Sequence, residues 1–329
     1  MNSFSYQRAA TVDDALAAGA DAGSAYIAGG TEMLNWLKEG IVSPARLTDI
    51  DRLPDLRRVQ LTSEGLYIGA LARMSEVAVN PDVQQNYPVV SQALLKSASA
   101  QLRNMASMGG NLMQRTRCPY FRAETELPCN KRRPGSGCSA LDGEDRALAI
   151  FGGSEACIAT HPSDVAVALA ALDAVVLLQS REGNRRVPLV DFHLLPGATP
   201  ERETVLRPSE LVVGIHIPTT PLARRSLYLK LRERASYEFA LVSTAVALDA
   251  NDGRIQEVKI ALGGVAPKPW RLAAAERALR GLDLEDLSAL RGAVDQGFAD
   301  ARPGKQNGFK IELAARLVVR GLQQAGAMA

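Results

Sequence analysis

No uninterrupted apolar run in this 329-residue chain reaches the roughly eighteen residues that span a bilayer. The longest, VAVALAALDAVVLL over 165–178, is broken by Asp173 and fits a buried helix followed by a strand. The stretch MNSFSYQRAATVDDALAAGA has no basic segment followed by an apolar one, so it does not read as a secretory signal. Neither sign of charge is in excess. The 38 Lys and Arg against 36 Asp and Glu leave a formal net charge of +2, which gives no general reason to expect nucleic acid or an anionic membrane as partner. Histidine is scarce, at three residues, and no Ser–His–Asp set, H-E-x-x-H or paired acidic motif emerges. His193 and His216 stand in apolar surroundings and read as packed rather than catalytic. His161, four residues after Cys157, is a ligand candidate in a zinc site and otherwise a pre-proline loop residue. Such silence suits a protein whose chemistry is carried by cofactors.

What is present is enough for two or three domains: the length exceeds one comfortable core, and 47% apolar with 22% charged residues leaves no room for extensive disorder. The first sixty residues alternate α and β. An Ala-rich amphipathic helix at about 11–22 leads to the strand AYIA, a second helix over 31–39 and the strand RLTDI. The strand LYIGAL (66–71) precedes a long helical region from about 75 to 101, interrupted by Pro81 and Pro88. A helix begins at Ser163, followed by the strand AVVLLQS. After Pro218 the pattern changes to three alternating strands, SLYLKLRE, FALVSTAVALDA and IQEVKIALGG, with Asn251-Asp252-Gly253 as a tight turn. Helices at about 271–281, 284–298 and 308–325 close the chain. The reading is an α/β region over 1–219, in parts of about 1–60 and 61–219, then an α+β domain over 220–329 with an antiparallel sheet packed with helices.

All four cysteines fall in one irregular insertion of about 115–158: Cys118, Cys129, Cys138 and Cys157, separated by ten, eight and eighteen residues. Its Pro-, Gly- and Arg-rich sequence is poor at burying an apolar core but able to wrap four thiolates around one centre. Structural zinc sites usually present ligands in close C-x2-4-C pairs, and none occurs here. An iron–sulfur cluster tolerates longer spacings, because its irons lie farther apart than one metal's ligand shell. Disulfides are disfavoured by the lack of an export signal. The run Lys131-Arg132-Arg133 reads either as a solvated loop or as charge compensation for thiolates.

Two glycine elements remain. Ile27-Ala28-Gly29-Gly30-Thr31-Glu32-Met33-Leu34 lies between a strand and a helix, where glycine lets the backbone approach a phosphate. Ser107-Met108-Gly109-Gly110-Asn111-Leu112 precedes the cysteines. Neither fits G-x-G-x-x-G or G-x-x-x-x-G-K-[ST], which argues against Rossmann and P-loop sites. Each alone is no more than a turn; two in one half suggest an extended ligand with two phosphates.

In order along the chain, AGGTEML, IGALARMSEV, MASMGGNL, HPSD and LGGVAPKPWRLAAAE resemble the flavin-binding subunit of the xanthine dehydrogenase and carbon monoxide dehydrogenase family of molybdenum hydroxylases. Most members lack the cysteine insertion. RCPYFR, PCNKRRPGSGCSA and CIATHPSD resemble the version in bacterial periplasmic-type aldehyde oxidoreductases, which implies a [4Fe–4S] cluster on Cys118, Cys129, Cys138 and Cys157. The resemblance implies a two-part FAD-binding region of the vanillyl-alcohol-oxidase type. It places the FAD pyrophosphate on Ile27, Ala28, Gly29, Gly30, Thr31, Glu32, Met33 and Leu34, and on Ser107, Gly110 and Asn111. Asp164 is implied to hydrogen-bond the cofactor, Val212 to line the flavin pocket and Lys230 to stand near the isoalloxazine. Without the resemblance Asp164 would read as a helix cap and Lys230 as a solvent-facing strand residue.

The implied function is electron transfer: electrons from aldehyde oxidation at a molybdenum cofactor on a large subunit pass through [2Fe–2S] clusters on a small subunit to FAD, and on to an external acceptor. The assembly expected is a heterotrimer or its dimer. Within the family, a flavin subunit like that of 4-hydroxybenzoyl-CoA reductase or xanthine dehydrogenase is the alternative; from another class, a zinc-stapled, non-enzymatic binding module. The expected location is the cytoplasm, or the periplasm by co-export with a partner bearing a twin-arginine signal.

Overall fold

The computed structural model describes residues 1–328. The chain opens with β1 (Ser5–Arg8), α1 (Val12–Gly19), β2 (Ser24–Ile27), α2 (Met33–Lys38) and β3 (Arg46–Asp49). The three strands form a parallel sheet in the order β1-β3-β2. Thr11 and Asp14 close a capping box at the start of α1, which buries Ala15, Leu16 and Ala18. Parallel pairing brings the C-terminal ends of β2 and β3 to one edge, and the first glycine loop leaves from that edge.

A second sheet, entirely antiparallel, combines β4 (Val59–Thr62) and β5 (Gly65–Gly69) with three later strands. Between them and those strands lies the helical region, divided at Pro81 and Pro88 as expected and once more at 97–99. It consists of four short helices: α3 (Met74–Val79), α4 (Pro81–Asn86), α5 (Pro88–Lys96) and α6 (Ala100–Met105). Pro81 and Pro88 open helices at the first turn, where the missing N–H has no intrahelical acceptor in any case. Asn80 caps α4 through its side chain, and Ala98, at φ +46°, turns the chain between α5 and α6. α7 (Met108–Leu112) carries the second glycine element.

α8 (Asp164–Ala171) is the shared spine, with all eight residues buried. It packs against α5 on one side and against the strands of the C-terminal domain on the other. β6 (Val175–Ser180), β7 (Gly183–Pro188), α9 (Leu189–Phe192) and β8 (Leu211–Pro218) complete the first region, giving the sheet order β4-β5-β8-β6-β7. The final domain is a second antiparallel sheet, with β9 (Ser226–Leu231), β10 (Val242–Asn251), β11 (Arg254–Gly263) and β12 (Trp270–Arg271). Asn251 pairs with Arg254, so Asp252 and Gly253 form the two-residue turn; both have positive φ, as a hairpin of right-twisted strands requires. α10 (Ala273–Leu279), α11 (Leu287–Asp295) and α12 (Phe309–Gly326) pack with this sheet around a core of Leu, Val and Ile.

Between α7 and α8 the chain holds no helix or strand among the described residues, and two isolated bridges, Cys129 with Cys138 and Ser154 with Cys157, give it its regularity. Its far end is tied to the C-terminal domain. Asn307 donates to the carbonyls of Asp145, Leu148 and Ala149, and the buried Lys310 ammonium donates to Leu148 O at 2.8 Å and Gly264 O at 2.7 Å.

Candidate functional site

The first glycine loop is built to expose backbone amides. After β2 the chain turns through Gly30, whose φ of +73° is left-handed, and enters α2 at Met33. Among the described residues the amides of Gly29, Gly30, Thr31 and Glu32 have no protein acceptor. Successive free N–H groups in such a turn make a concave cradle for an anion. A side chain at Gly29 would run into the Met105 carbonyl and the Arg73 guanidinium, so the backbone itself passes close to α6. Arg73 is fixed there by Asp51 at 2.8 Å.

Glu32 is committed elsewhere. Its carboxylate accepts from Arg117 at 2.7 Å, Arg122 at 2.6 Å and Trp36 Nε1 at 2.9 Å. The residue that the resemblance assigns to the cofactor therefore ties this loop to the cysteine segment. Leu34 is exposed, while Ile27, Ala28, Thr31 and Met33 are half-buried around the turn.

The second element uses its polar groups for shape. Ser107 caps α7 by accepting from Gly110 N at 3.2 Å, and Gly109 packs directly on Ala70. Gly110 faces solvent, and Asn111 accepts from Ser163 Oγ at 2.5 Å through its side-chain oxygen. Ser163, not Asp164, is the cap of α8. That contact joins the two sides of the cysteine insertion, 52 positions apart in sequence.

Asp164 is buried and receives three donors: Tyr228 OH on Oδ1 at 2.5 Å, and Ser97 Oγ at 3.0 Å with Lys230 Nζ at 2.8 Å on Oδ2. Lys230, on β9, is thus not a solvent-facing strand lysine; its side chain is 2% exposed. Asp164 and Lys230 are brought together, whereas Val212 on β8 lies in the apolar core beside the sheet partner Leu178. Tyr228 and Ser97 escaped the sequence reading, although a signal existed. Tyr228 stands two residues before Lys230, and the period of two along a strand puts both on one face.

The four cysteines, unlinked to one another, share one buried cluster with Phe121, Ala140, Leu148 and Ala159; Cys138 is the partly exposed member. Turns follow two of them: Phe121 N and Arg122 N donate to Cys118 O, and Arg132 N and Arg133 N donate to Cys129 O. Burial pushes the Cys118 thiol up to about 11, opposed by amides of Phe121 and Tyr120. Burial raises Cys157 as well, opposed first by the Lys131 charge, and Ala159 N donates to its Sγ at 3.5 Å. The basic run is not a solvated loop throughout. Lys131 is buried and bonds Glu203 at 2.9 Å, Arg132 donates to the carbonyls of Ala123 and Glu39, and Arg133 alone stays exposed beside Glu126. Among the described residues no group of three or more His, Cys, Asp or Glu is spaced to hold a single metal ion.

A cavity of about 300 Å³ adjoins this segment, bordered by Trp36, Arg115, Lys131, His161, His193 and Glu203 among others. His193 Nε2 faces Leu112 O at 2.9 Å; a carbonyl only accepts, so Nε2 carries the proton and Nδ1 is left unpaired. Burial lowers His193 to about 4, and burial with the neighbouring His193 charge holds His161 well below its ordinary value.

Residues 2–220 match the FAD binding domain in molybdopterin dehydrogenase, and residues 227–325 match the CO dehydrogenase flavoprotein C-terminal domain. The chain is 46% identical to the aldehyde oxidoreductase FAD-binding subunit PaoB of Escherichia coli, with all of both chains covered. It is 30% identical to the glyceraldehyde dehydrogenase medium chain of Sulfolobus acidocaldarius, covering 86% of this chain and 83% of that one. Among solved structures, a chain of carbon monoxide dehydrogenase from Hydrogenophaga pseudoflava superposes with a TM-score of 0.76 at 25% identity, over 99% of this chain and 98% of that one.

Proposed function

The chain belongs to the FAD-binding subunits of the xanthine dehydrogenase and carbon monoxide dehydrogenase family, and we propose that it is the FAD and [4Fe–4S] electron-transfer subunit of a molybdenum-containing aldehyde oxidoreductase. The observation that carries the aldehyde assignment is the 46% identity to the PaoB subunit over the full length of both chains. Family membership sets aside the reading of a non-enzymatic module whose glycines are only turns.

The residues present fit both groups. For FAD, the amides of Gly29 to Glu32 offer an anion cradle that needs no side chain, and Gly110 leaves the start of α7 open beside Asn111. We assign the pyrophosphate to these two elements, the flavin environment to Asp164 and Lys230, and an apolar wall to Val212. The chemistry that bound FAD supplies is electron transfer, from a molybdenum-bearing partner by way of [2Fe–2S] clusters to an external acceptor. For the cluster, four thiols gathered in one buried patch, with amides directed at two of them, offer soft ligands and the hydrogen bonds that tune such centres. Cys118, Cys129, Cys138 and Cys157 would hold it. Lys131, fixed by Glu203, would offset part of the thiolate charge. The large and small partner subunits complete the enzyme as a heterotrimer or its dimer.

Co-purification tests the assignment. The intact complex should contain one FAD per copy of this chain, a molybdenum-bearing large subunit and a [2Fe–2S] small subunit, and should oxidise aldehydes. A complex that contains flavin but acts on purines or aromatic CoA thioesters, and not on aldehydes, would replace the aldehyde assignment while leaving the family intact.

A further inference from the structure

Around Asp164 the charges do not balance. Three cations converge on the end of α5: Lys96, Lys230 and Arg232. Lys230 donates to Asp164 at 2.8 Å and to Lys96 O at 3.2 Å, and Arg232 Nη1 reaches the same carbonyl at 3.5 Å. The Lys96 ammonium donates to Tyr228 O at 2.7 Å. Among the described residues neither Lys96 nor Arg232 forms an ion pair, so Asp164 is the one carboxylate set against three positive groups. Burial, and then the Arg232 charge, lowers the Lys96 pKa, with the Asp164 charge opposing them only in part. A surplus of positive charge in a partly buried corner is costly unless a negative group arrives to meet it.

An ammonium has three protons. Two of those on Lys230 are taken by Asp164 and Lys96 O, and the third has no protein acceptor among the described residues. Asp164 itself borders a small cavity of about 70 Å³ together with His161, Ser163, Phe239 and Ser243. Tyr228 is completely buried, and burial followed by the Asp164 charge raises its hydroxyl well above the usual phenol value, so it stays protonated and donates. Its proton points at Oδ1 of Asp164, so the carboxylate charge is divided between Tyr228 and the Lys230 ion pair at 2.8 Å on Oδ2. The single Ser97 proton is shared between Asp164 and Ala93 O.

We propose that Tyr228 is a positioning residue of the flavin site, which by holding Asp164 leaves Lys230, with Lys96 and Arg232 behind it, as a positive corner that favours negative charge on the bound ring. The proposal rests on the assignment of Asp164 and Lys230 to the flavin environment. It makes the positive corner the work of β9 and the end of α5 together, and it gives Tyr228 an effect on the cofactor without contact to it.

The test is a redox titration of the intact complex, followed by flavin absorbance, for the wild type, Tyr228→Phe and Lys230→Met. Tyr228→Phe should keep its flavin and lower the reduced-to-oxidised ratio at the wild-type midpoint about tenfold, which for a two-electron couple is a shift of about 30 mV to more negative potential. Lys230→Met should shift it in the same direction. If Lys230→Met moves the potential and Tyr228→Phe does not, the proposal fails while the flavin placement stands. If neither variant moves the potential or the flavin spectrum, the placement itself is wrong and the proposal falls with it. Should Tyr228→Phe not assemble, Lys96→Met removes a cation from the same corner and must lower the potential; an unchanged value overturns the proposal.

Discussion

Glu32 and Arg122 form an ion pair at 2.6 Å across 90 positions of sequence, each side chain less than 15% exposed. The pair joins the amide cradle to the cysteine segment, with Arg117 on the second carboxylate oxygen and Arg122 also holding Glu39. The first glycine loop and the cysteine segment are therefore tied directly to each other.

Removing the shared carboxylate should loosen both. Glu32→Gln leaves the partly buried Arg117 guanidinium without an anion and Arg122 with Glu39 alone, at a cost of about 2 kcal/mol. We expect faster protease cleavage within 115–140 and faster loss of FAD on dilution. A variant that releases flavin no faster than wild type, with unchanged cleavage, would show the two loops to be independent.

A side chain at Gly30 should expel flavin with little effect on the fold. Gly30→Val forces a β-branched residue to φ +73°, at about 1–2 kcal/mol of backbone strain, and crowds the side chains of Leu34 and Ile27, so the turn that presents the free amides must shift. The expected result is a folded complex with flavin reduced to a small fraction of the wild-type ratio. Stoichiometric flavin after purification would count against the cradle.

Acid should destabilise the protein through the buried histidines. His193 takes up its proton near pH 4 when folded but near 6.5 when unfolded, so the unfolded chain binds more protons between those values. Stability is thus fully present above about pH 6.5 and is lost as the pH falls toward 4, by on the order of 3 kcal/mol for this group alone. His161 acts in the same direction. Heat-inactivation rates of the complex from pH 7.5 to 4.5 should climb more steeply for wild type than for His193→Gln. Equal slopes would remove the histidine from the account.

Local pattern carried much of this. The helices with clean periodicity, the Asp252-Gly253 turn and the two glycine elements were legible because each depends on residues close in sequence. β1 was not, since all four of its residues are exposed and its place is set by pairing with β3, forty residues on. In sequence the prolines at 81 and 88 read as interruptions; in the fold each one both ends the preceding helix and starts the next. Within the site, sequence could name Asp164, Lys230 and Glu32 but not their partners. Glu32 meets arginines more than eighty positions away, and Ser97 reaches Asp164 only because α5 and α8 pack side by side.

The central claim is that one chain carries both FAD and a [4Fe–4S] cluster. Its most direct test is iron and acid-labile sulfide analysis of the complex purified without oxygen, comparing wild type with Cys129→Ser. The account predicts that the variant loses about four irons and about four sulfides per copy of this chain, with the spectroscopic signals of the partner's [2Fe–2S] clusters unchanged. Equal iron and sulfide in the two preparations, matching the partner clusters alone, would contradict it.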